Sequence, residues 1–594
     1  MKQLACLTLL VGLWVPSAWS AEKEAKPVVA IYDLETVLAE SGRPEAAMLD
    51  LSLDSTRPLT LFDLTRSLEK AASDERVKAV VLDVDGAQID FAQLQELRRR
   101  LQGVRQAGKD VWIYSEYLAN GTALMGSVAN HFTLMPHADC SFHGIHAESI
   151  YFKGLLDKAG VRAEVIHIGD YKSFGEMFYR EGPSDEARQQ EESLIDSIFA
   201  QLVADVAQAR NMDPAQVKAI IDNGSMDAAA MLDAGMVDHL MHRTEFVKKI
   251  REVYGDEAVY DRGYELPDLD GPEIEGIMDL FKLMAGKSSS GKMREDFVAV
   301  VVLDGDITDE SIAPVRSQIL KLIDEPKAKA LVLRVNSPGG SALASEVLWE
   351  AVEQWKSQER PIVVSMGGVA ASGGYYVSCG ADRIFAEAGT ITGSIGVVGM
   401  KFVVGDAMEK LGITTHTIQR GKNAGAMSMT RGFSEQEAGL IRESMERVYQ
   451  VFKQRVTDGR GEALQADLES LAGGRVYSGQ QALENGLVDE IGGLHEAIAH
   501  ATELAGLDKP NARLLPEPAS GLEGLLAKPE QDEEIIRAAR PAATIDAWMQ
   551  AFPSRAFSQA LPAPVRNAMQ RLMSRIEAFD SAQILMLGPD IDLR

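Results

Sequence analysis

The chain has 594 residues, 46% of them hydrophobic and 25% charged, with a formal net charge of −28. This length accommodates about two to four domains of ordinary size with ample core. The acidic balance excludes a nucleic-acid surface of the usual basic kind and disfavours adsorption to anionic lipid head groups.

The first twenty residues read as a secretory signal. Lys2 supplies the positive end, Leu4 to Val15 the apolar stretch, and Ala18-Trp19-Ser20 the small residues of a cleavage site. The stretch falls short of the ~20 apolar residues that a membrane-spanning helix needs. Cleavage after Ser20 or Ala21 would yield an exported protein, periplasmic or at the periplasmic face of the inner membrane. An uncleaved leader would instead serve as a weak membrane anchor. Beyond Cys6 the chain has only Cys140 and Cys379, too far apart in sequence for a disulfide framework or a metal finger. Cys379 reads as a small core residue.

Two halves follow one plan. Val77-Lys78-Ala79-Val80-Val81-Leu82-Asp83-Val84 resembles Ala328-Lys329-Ala330-Leu331-Val332-Leu333-Arg334-Val335. Each is followed by a helical pattern and a second apolar strand, Asp110 to Tyr114 in one half and Pro361 to Ser365 in the other. Leu156 to Ile168 then matches Met408 to Ile418 as helix followed by strand. Strands alternating with helices at this spacing indicate βαβ crossovers and a largely parallel sheet. The organisation read from this is a leader over 1–20, a first repeat over 27–260, a linker over 261–296, a second repeat over 297–510 and an extension over 511–594. The linker carries Gly286-Lys287-Ser288-Ser289-Ser290-Gly291, preceded by a helical spacing of Ile274, Ile277, Phe281 and Met284. Prolines interrupt the last ~80 residues, which reads as a peripheral extension with short helices over Ile545 to Phe552 and Val565 to Phe579.

The halves differ where chemistry is expected. Ser372 lies among small residues in Gly367-Gly368-Val369-Ala370-Ala371-Ser372-Gly373-Gly374, just after an apolar strand. At a strand-to-helix turn its hydroxyl is uncrowded, and the N–H groups that follow point where an oxyanion would form. A second glycine turn, Val335-Asn336-Ser337-Pro338-Gly339-Gly340, ends the preceding strand. Two readings stand: ordinary tight βα turns, or two sides of one oxyanion hole. At the corresponding places the first half has Asn120-Gly121-Thr122 and Gly86-Ala87-Gln88, so one nucleophile is expected per chain.

A serine hydroxyl needs a base. His416, in a predicted strand, and His495 and His500, in a late helix, have no acidic residue placed to orient them. His137, His143 and His146 lack a zinc spacing and read as a surface loop. Lysine serves when burial lowers its pKa. Lys172 stands between aromatic residues just past a strand, in Ile168-Gly169-Asp170-Tyr171-Lys172-Ser173-Phe174. Its plain alternative is a solvated surface lysine.

Together, Asn336-Ser337-Pro338-Gly339-Gly340, Ala371-Ser372-Gly373-Gly374-Tyr375-Tyr376, Thr392-Gly393-Ser394-Ile395-Gly396 and Gly169-Asp170-Tyr171-Lys172-Ser173 resemble the motifs of the signal peptide peptidase A (protease IV) family in its long duplicated form. The resemblance runs over roughly residues 30 to 500. It implies an α/β fold of tandem ClpP/crotonase-like domains with largely parallel sheets and βαβ crossovers. It also implies an exported Ser-Lys protease that digests released signal peptides, needs no cofactor or metal and assembles as a homotetramer. By resemblance Ser372 is the nucleophile, Lys172 the general base and Ser394 the residue that orients the lysine. Gly373, with Gly339 or Gly340, would supply the oxyanion hole. In short, unduplicated members the lysine follows the serine within one domain, at the distance Lys422 has from Ser372. Lys422 also occupies the repeat-equivalent position of Lys172 and is therefore an alternative base. Other classes left open are a catalytically silent peptide-binding scaffold and a crotonase-type acyl-CoA enzyme.

Overall fold

Long runs of Val, Ile and Leu without polar alternation are the mark of parallel strands covered on both faces, and this chain has several. A computed structural model describes residues 26–34, 37–41, 58–224, 227–267, 295–516 and 585–587. The expected leader, the linker helix and the two tail helices lie outside the described residues.

The strands of the first half are β1 (Val28–Asp33), β2 (Val77–Asp83), β3 (Asp110–Ala119), β4 (His131–Ser141), β5 (Arg162–Ile168), β6 (His239–Leu240) and β7 (Val259–Arg262). Those of the second half are β8 (Phe297–Asp304), β9 (Ala328–Ser337), β10 (Gly339–Ser341), β11 (Ile362–Ala371), β12 (Arg383–Ala386), β13 (Ile391–Gly393), β14 (Val397–Val403), β15 (Val476–Ser478), β16 (Glu490–Ile491) and β17 (Ala512–Leu515), with β18 (Leu585–Leu587) in the tail. One sheet runs β6-β4-β3-β2-β1-β7 and is parallel throughout. The second runs β15-β13-β11-β9-β8-β17, with β12 and β16 joined alongside β11, and only its β13–β15 pair is antiparallel. The α/β class with parallel sheets and helical crossovers therefore holds in both halves. The second sheet reaches past residue 510, because β17 pairs with β8.

Alternate residues of a strand point to opposite faces, and β8 uses both. Ala299 and Val301 enter a core with Leu348 and Trp355, whereas Val298 and Val300 enter another with Leu494 and Ile498. The helix Phe91–Gln106 of the first half lies against the second half and, together with Glu40, carries several of the buried polar contacts between them. Arg334 of β9, 1% exposed, is held by both oxygens of Glu40 at 2.9 Å and lies 3.5 Å from Glu96. It also donates to Ser365 Oγ at 2.8 Å and to the Met366 carbonyl at 3.1 Å. Glu96 Oε1 accepts from the Leu494 N–H at 2.8 Å, and Arg99 pairs with Glu387. A buried guanidinium is tolerated only with this degree of pairing.

A small third sheet, ordered β10-β18-β14-β5, is built from both halves and the tail. Here the structure corrects two expectations. The helix Gly405–Lys410 forms, but no strand follows it: residues 413–420 are irregular, with Ile413 and Ile418 46% and 77% exposed. The reason is that β14 already has a partner on each edge, β18 on one and β5 of the first half on the other. The 413–420 segment therefore cannot pair with the strand that precedes it in the chain. The tail also differs from a peripheral extension, because its described piece is a strand inside this sheet.

Candidate active site

β11 ends at Ala371 and the helix Gly373–Ser378 begins directly after Ser372. Turning a strand into a helix within one residue forces Ser372 to φ 55°, ψ −112°, a conformation that costs a non-glycine residue free energy and must be held from outside. Its N–H donates to the Gly393 carbonyl of β13 at 2.8 Å, and its carbonyl accepts from the Tyr376 N–H at 2.8 Å. The side chain is fully buried.

The partner comes from the other half. β5 and β14 pair antiparallel with Ile168 opposite Val397, so the turn after β5 is delivered beside β13. That turn is fixed on several sides. The Tyr171 N–H donates to the Gly473 carbonyl at 2.9 Å, and Arg475 stacks 3.5 Å above the Tyr171 ring. Gln190 donates to the Tyr171 carbonyl and to Ser173 Oγ, each at 3.0 Å. A Cβ on Gly474 would fall 2.5 Å from the Lys172 backbone nitrogen, so only glycine lets the two segments meet. Lys172 Nζ then lies 2.8 Å from Ser372 Oγ, 2.9 Å from the Ser394 carbonyl oxygen and 3.0 Å from Ser394 Oγ.

Lys172 is 3% exposed, and burial holds its pKa well below the usual 10.5 by disfavouring the ammonium. A neutral amine has two N–H groups and one lone pair. All three contacts are oxygens: an ammonium donates to each of them, and a neutral amine donates to the two on Ser394 and offers its lone pair to the Ser372 hydroxyl proton. Ser394 is itself held at φ 53° with its N–H on the Arg475 carbonyl at 2.5 Å.

The two glycine turns meet. A Cβ added to Gly373 would lie 3.2 Å from Gly339 Cα and 2.6 Å from Ser345 Oγ, so the backbones that follow β9 and β11 are in contact. Gly339 donates its N–H to Ser337 Oγ at 3.1 Å, and its carbonyl accepts from the Ile307 N–H at 2.8 Å. Gly340 is pressed against Ile307, whose carbonyl oxygen would lie 2.2 Å from a Cβ there.

The structure brings Ser372, Lys172, Ser394, Gly373 and Gly339 together, with Gly340 next in line. It leaves Lys422 out, exposed beyond the unpaired 413–420 segment. His416 is exposed, and His495 faces Glu69 at 3.4 Å. His137, His143 and His146 are exposed, and no group of potential metal ligands occurs among the described residues. Cys140 and Cys379 are free and buried, and burial pushes the Cys379 thiol up to about 12. In the first half Asn120 stands where a serine would, bound to the Gly144 carbonyl at 2.7 Å. The sequence reading missed Gln190, Gly473, Gly474 and Arg475; the Gly-Gly pair was the one visible signal.

The model of peptidase family S49 matches residues 104–255 and 354–508, and the first stretch contains Lys172 while the second contains Ser372 and Ser394. This chain belongs to peptidase family S49. The two stretches are the two repeats of its duplicated form. A Clp protease model matches residues 290–390 of the same S49 chain, consistent with tandem ClpP-like domains. Among S49 relatives, "Protease 4" of Salmonella typhi is 30% identical over 524 residues, 84% of this chain and 82% of that one. "Protease 4" of Haemophilus influenzae is 30% identical over 467 residues, 75% and 73% of the two chains. "Serine protease SPPA, chloroplastic" of Arabidopsis thaliana is 29% identical over 455 residues, 76% and 66% of the two chains. As an S49 member the chain is a protease.

Proposed function

We propose that the chain is a serine endopeptidase that uses a Ser372–Lys172 dyad to hydrolyse unfolded apolar peptides, released signal peptides among them. The observation that carries this reading is the 2.8 Å approach of a fully buried lysine amine to the hydroxyl of a strained, buried serine.

Neutral Lys172 takes the proton of Ser372 as Oγ attacks the scissile carbonyl carbon. Negative charge moves to the carbonyl oxygen, which the N–H groups of Gly373 and Gly339 receive; the Gly339 N–H exchanges Ser337 Oγ for the stronger acceptor. Gly339 is chosen over Gly340 because it is the glycine in contact with Gly373. The Lys172 ammonium, steadied by both oxygens of Ser394, gives its proton to the leaving amine. Water then repeats the cycle on the acyl-enzyme with the same base. Export through a cleaved leader and assembly as a homotetramer belong to the same reading. No helix among the described residues is long and apolar enough to cross a membrane.

The test is hydrolysis of an unfolded, leucine-rich, signal-like peptide by the wild type and by Ser372→Ala, Lys172→Ala and Lys422→Ala. Loss in the first two, with Lys422→Ala close to wild type, is the expected result. Activity that survives Lys172→Ala and vanishes in Lys422→Ala moves the base into the second half. Peptide binding without hydrolysis in the wild type would make the chain a scaffold.

A further inference from the structure

A peptide reaching Ser372 needs backbone partners that align it and oxyanion donors for its scissile carbonyl. β10 offers the first directly beside the second, since it begins at Gly339, the glycine in contact with Gly373. A strand laid along β10 is thus the arrangement that carries a carbonyl to the nucleophile. That place is filled by the chain's own tail. β18 runs antiparallel to β10 with Leu587 opposite Gly339, Met586 opposite Gly340 and Leu585 opposite Ser341. On its other side Leu585 is paired with Val398 of β14. β10 and β14 are therefore two strand spacings apart, about 10 Å, which leaves room for one extended chain and no more.

We infer that residues 585–587 are a built-in occupant of the peptide slot, a tethered strand that an incoming substrate must displace. The inference rests on the protease reading of Ser372 and specifies how that site is regulated. The register places the backbone of Leu587 nearest the nucleophile, and Leu585-Met586-Leu587 is itself an apolar, extended peptide of the type the site is proposed to take. Pairing over three residues gives few hydrogen bonds, so the occupant is displaceable, while the tether keeps its local concentration high. A free peptide then binds with an affinity reduced by the fraction of time the slot is open.

The test uses the full chain in a Ser372→Ala background and a fluorescein-labelled peptide of residues 583–588, Gln-Ile-Leu-Met-Leu-Gly. Adding Leu585→Pro and Leu587→Pro removes two N–H groups and breaks the pairing. If the slot is open about a tenth of the time, the double proline change tightens peptide binding about tenfold by anisotropy. With Ser372 restored, kcat/KM for hydrolysis rises by the same factor through KM. Equal peptide affinity with and without the prolines overturns the inference. Tighter binding with no hydrolysis in either active-serine chain keeps the occupant and sinks the protease reading. Hydrogen exchange on the unsubstituted chain is the second measurement. Amides at 585–587 are expected to be protected and to lose protection when saturating free peptide is added; fast exchange there without peptide overturns the inference.

Discussion

Ser372 and Lys172 stand 200 positions apart in the chain and 2.8 Å apart in space. Nothing local produces that meeting. It depends on β5 of one half pairing with β14 of the other, and on Gly473 and Gly474 backing the turn that carries the lysine. In the proposed mechanism nucleophile and base thus belong to different repeats, and exclusion of water by the docked halves is what would make the lysine a base.

The first expectation concerns pH. Burial holds the Lys172 pKa well below 10.5, and in the proposed mechanism the amine is the working form. The acylation rate should therefore rise with pH as the ammonium loses its proton, and level off well below 10.5. A pH profile of single-turnover acylation checks this. An inflection near the ordinary lysine value would remove burial as the activating force.

The same shift bears on stability. Unfolded Lys172 titrates near 10.5 and the folded residue lower, so between those values the unfolded chain holds the extra proton. Stability is thus reduced below the folded pKa and recovers as pH rises through this window. Lys172→Met should abolish hydrolysis yet raise stability at neutral pH, the gain shrinking toward alkaline pH. Denaturant titrations at several pH values measure it; a destabilised Met variant would contradict the argument.

In the proposed mechanism Ser394 steadies the base through its contacts with Lys172 Nζ. Ser394→Ala removes one of the two oxygens that hold Nζ while leaving the carbonyl at 2.9 Å. A lost hydrogen bond to a charged group corresponds to about tenfold to hundredfold in kcat, with KM little changed. A moved inflection in the pH profile would separate this positioning effect from simple misfolding.

Arg334 is the reverse case, far from chemistry and decisive for assembly of the halves. Arg334→Met leaves Glu40 and Glu96 buried without their cation, which should cost about 3–5 kcal/mol. Adding Glu40→Leu should return part of that loss. Urea midpoints for the single and double variants test the coupling, and additive losses would show that the pair is not coupled.

Much of this was legible locally. Parallel-strand runs, the repeat and both glycine turns are short-range patterns, and each lies where the sequence puts it. Lys172 was a candidate by its setting between aromatic residues, but composition alone could not tell it from a solvated lysine or from Lys422. What separates the two is strand pairing between halves, a contact no window of sequence contains. The same fact explains the misread strand at 413–418. Its residues favour β structure, but the strand that precedes it in the chain, β14, is paired on both sides by β5 and β18, partners distant in sequence. The Arg334 cluster was invisible for a related reason: its carboxylates come from the other half, and a charged residue in a strand sequence gives no sign of being buried.

Division of the site between the halves also sets a clock. A ribosome delivers the first half before the second. Until Gly473 and Ser394 exist, Lys172 has no wall to exclude water from it, and in water it is an inert cation. The nucleophile arrives later, on a strand that still needs the earlier half for its base. On the proposed mechanism a chain caught midway through synthesis therefore carries no protease at all, and the capacity to cut appears in one step when the last parts of the second half dock.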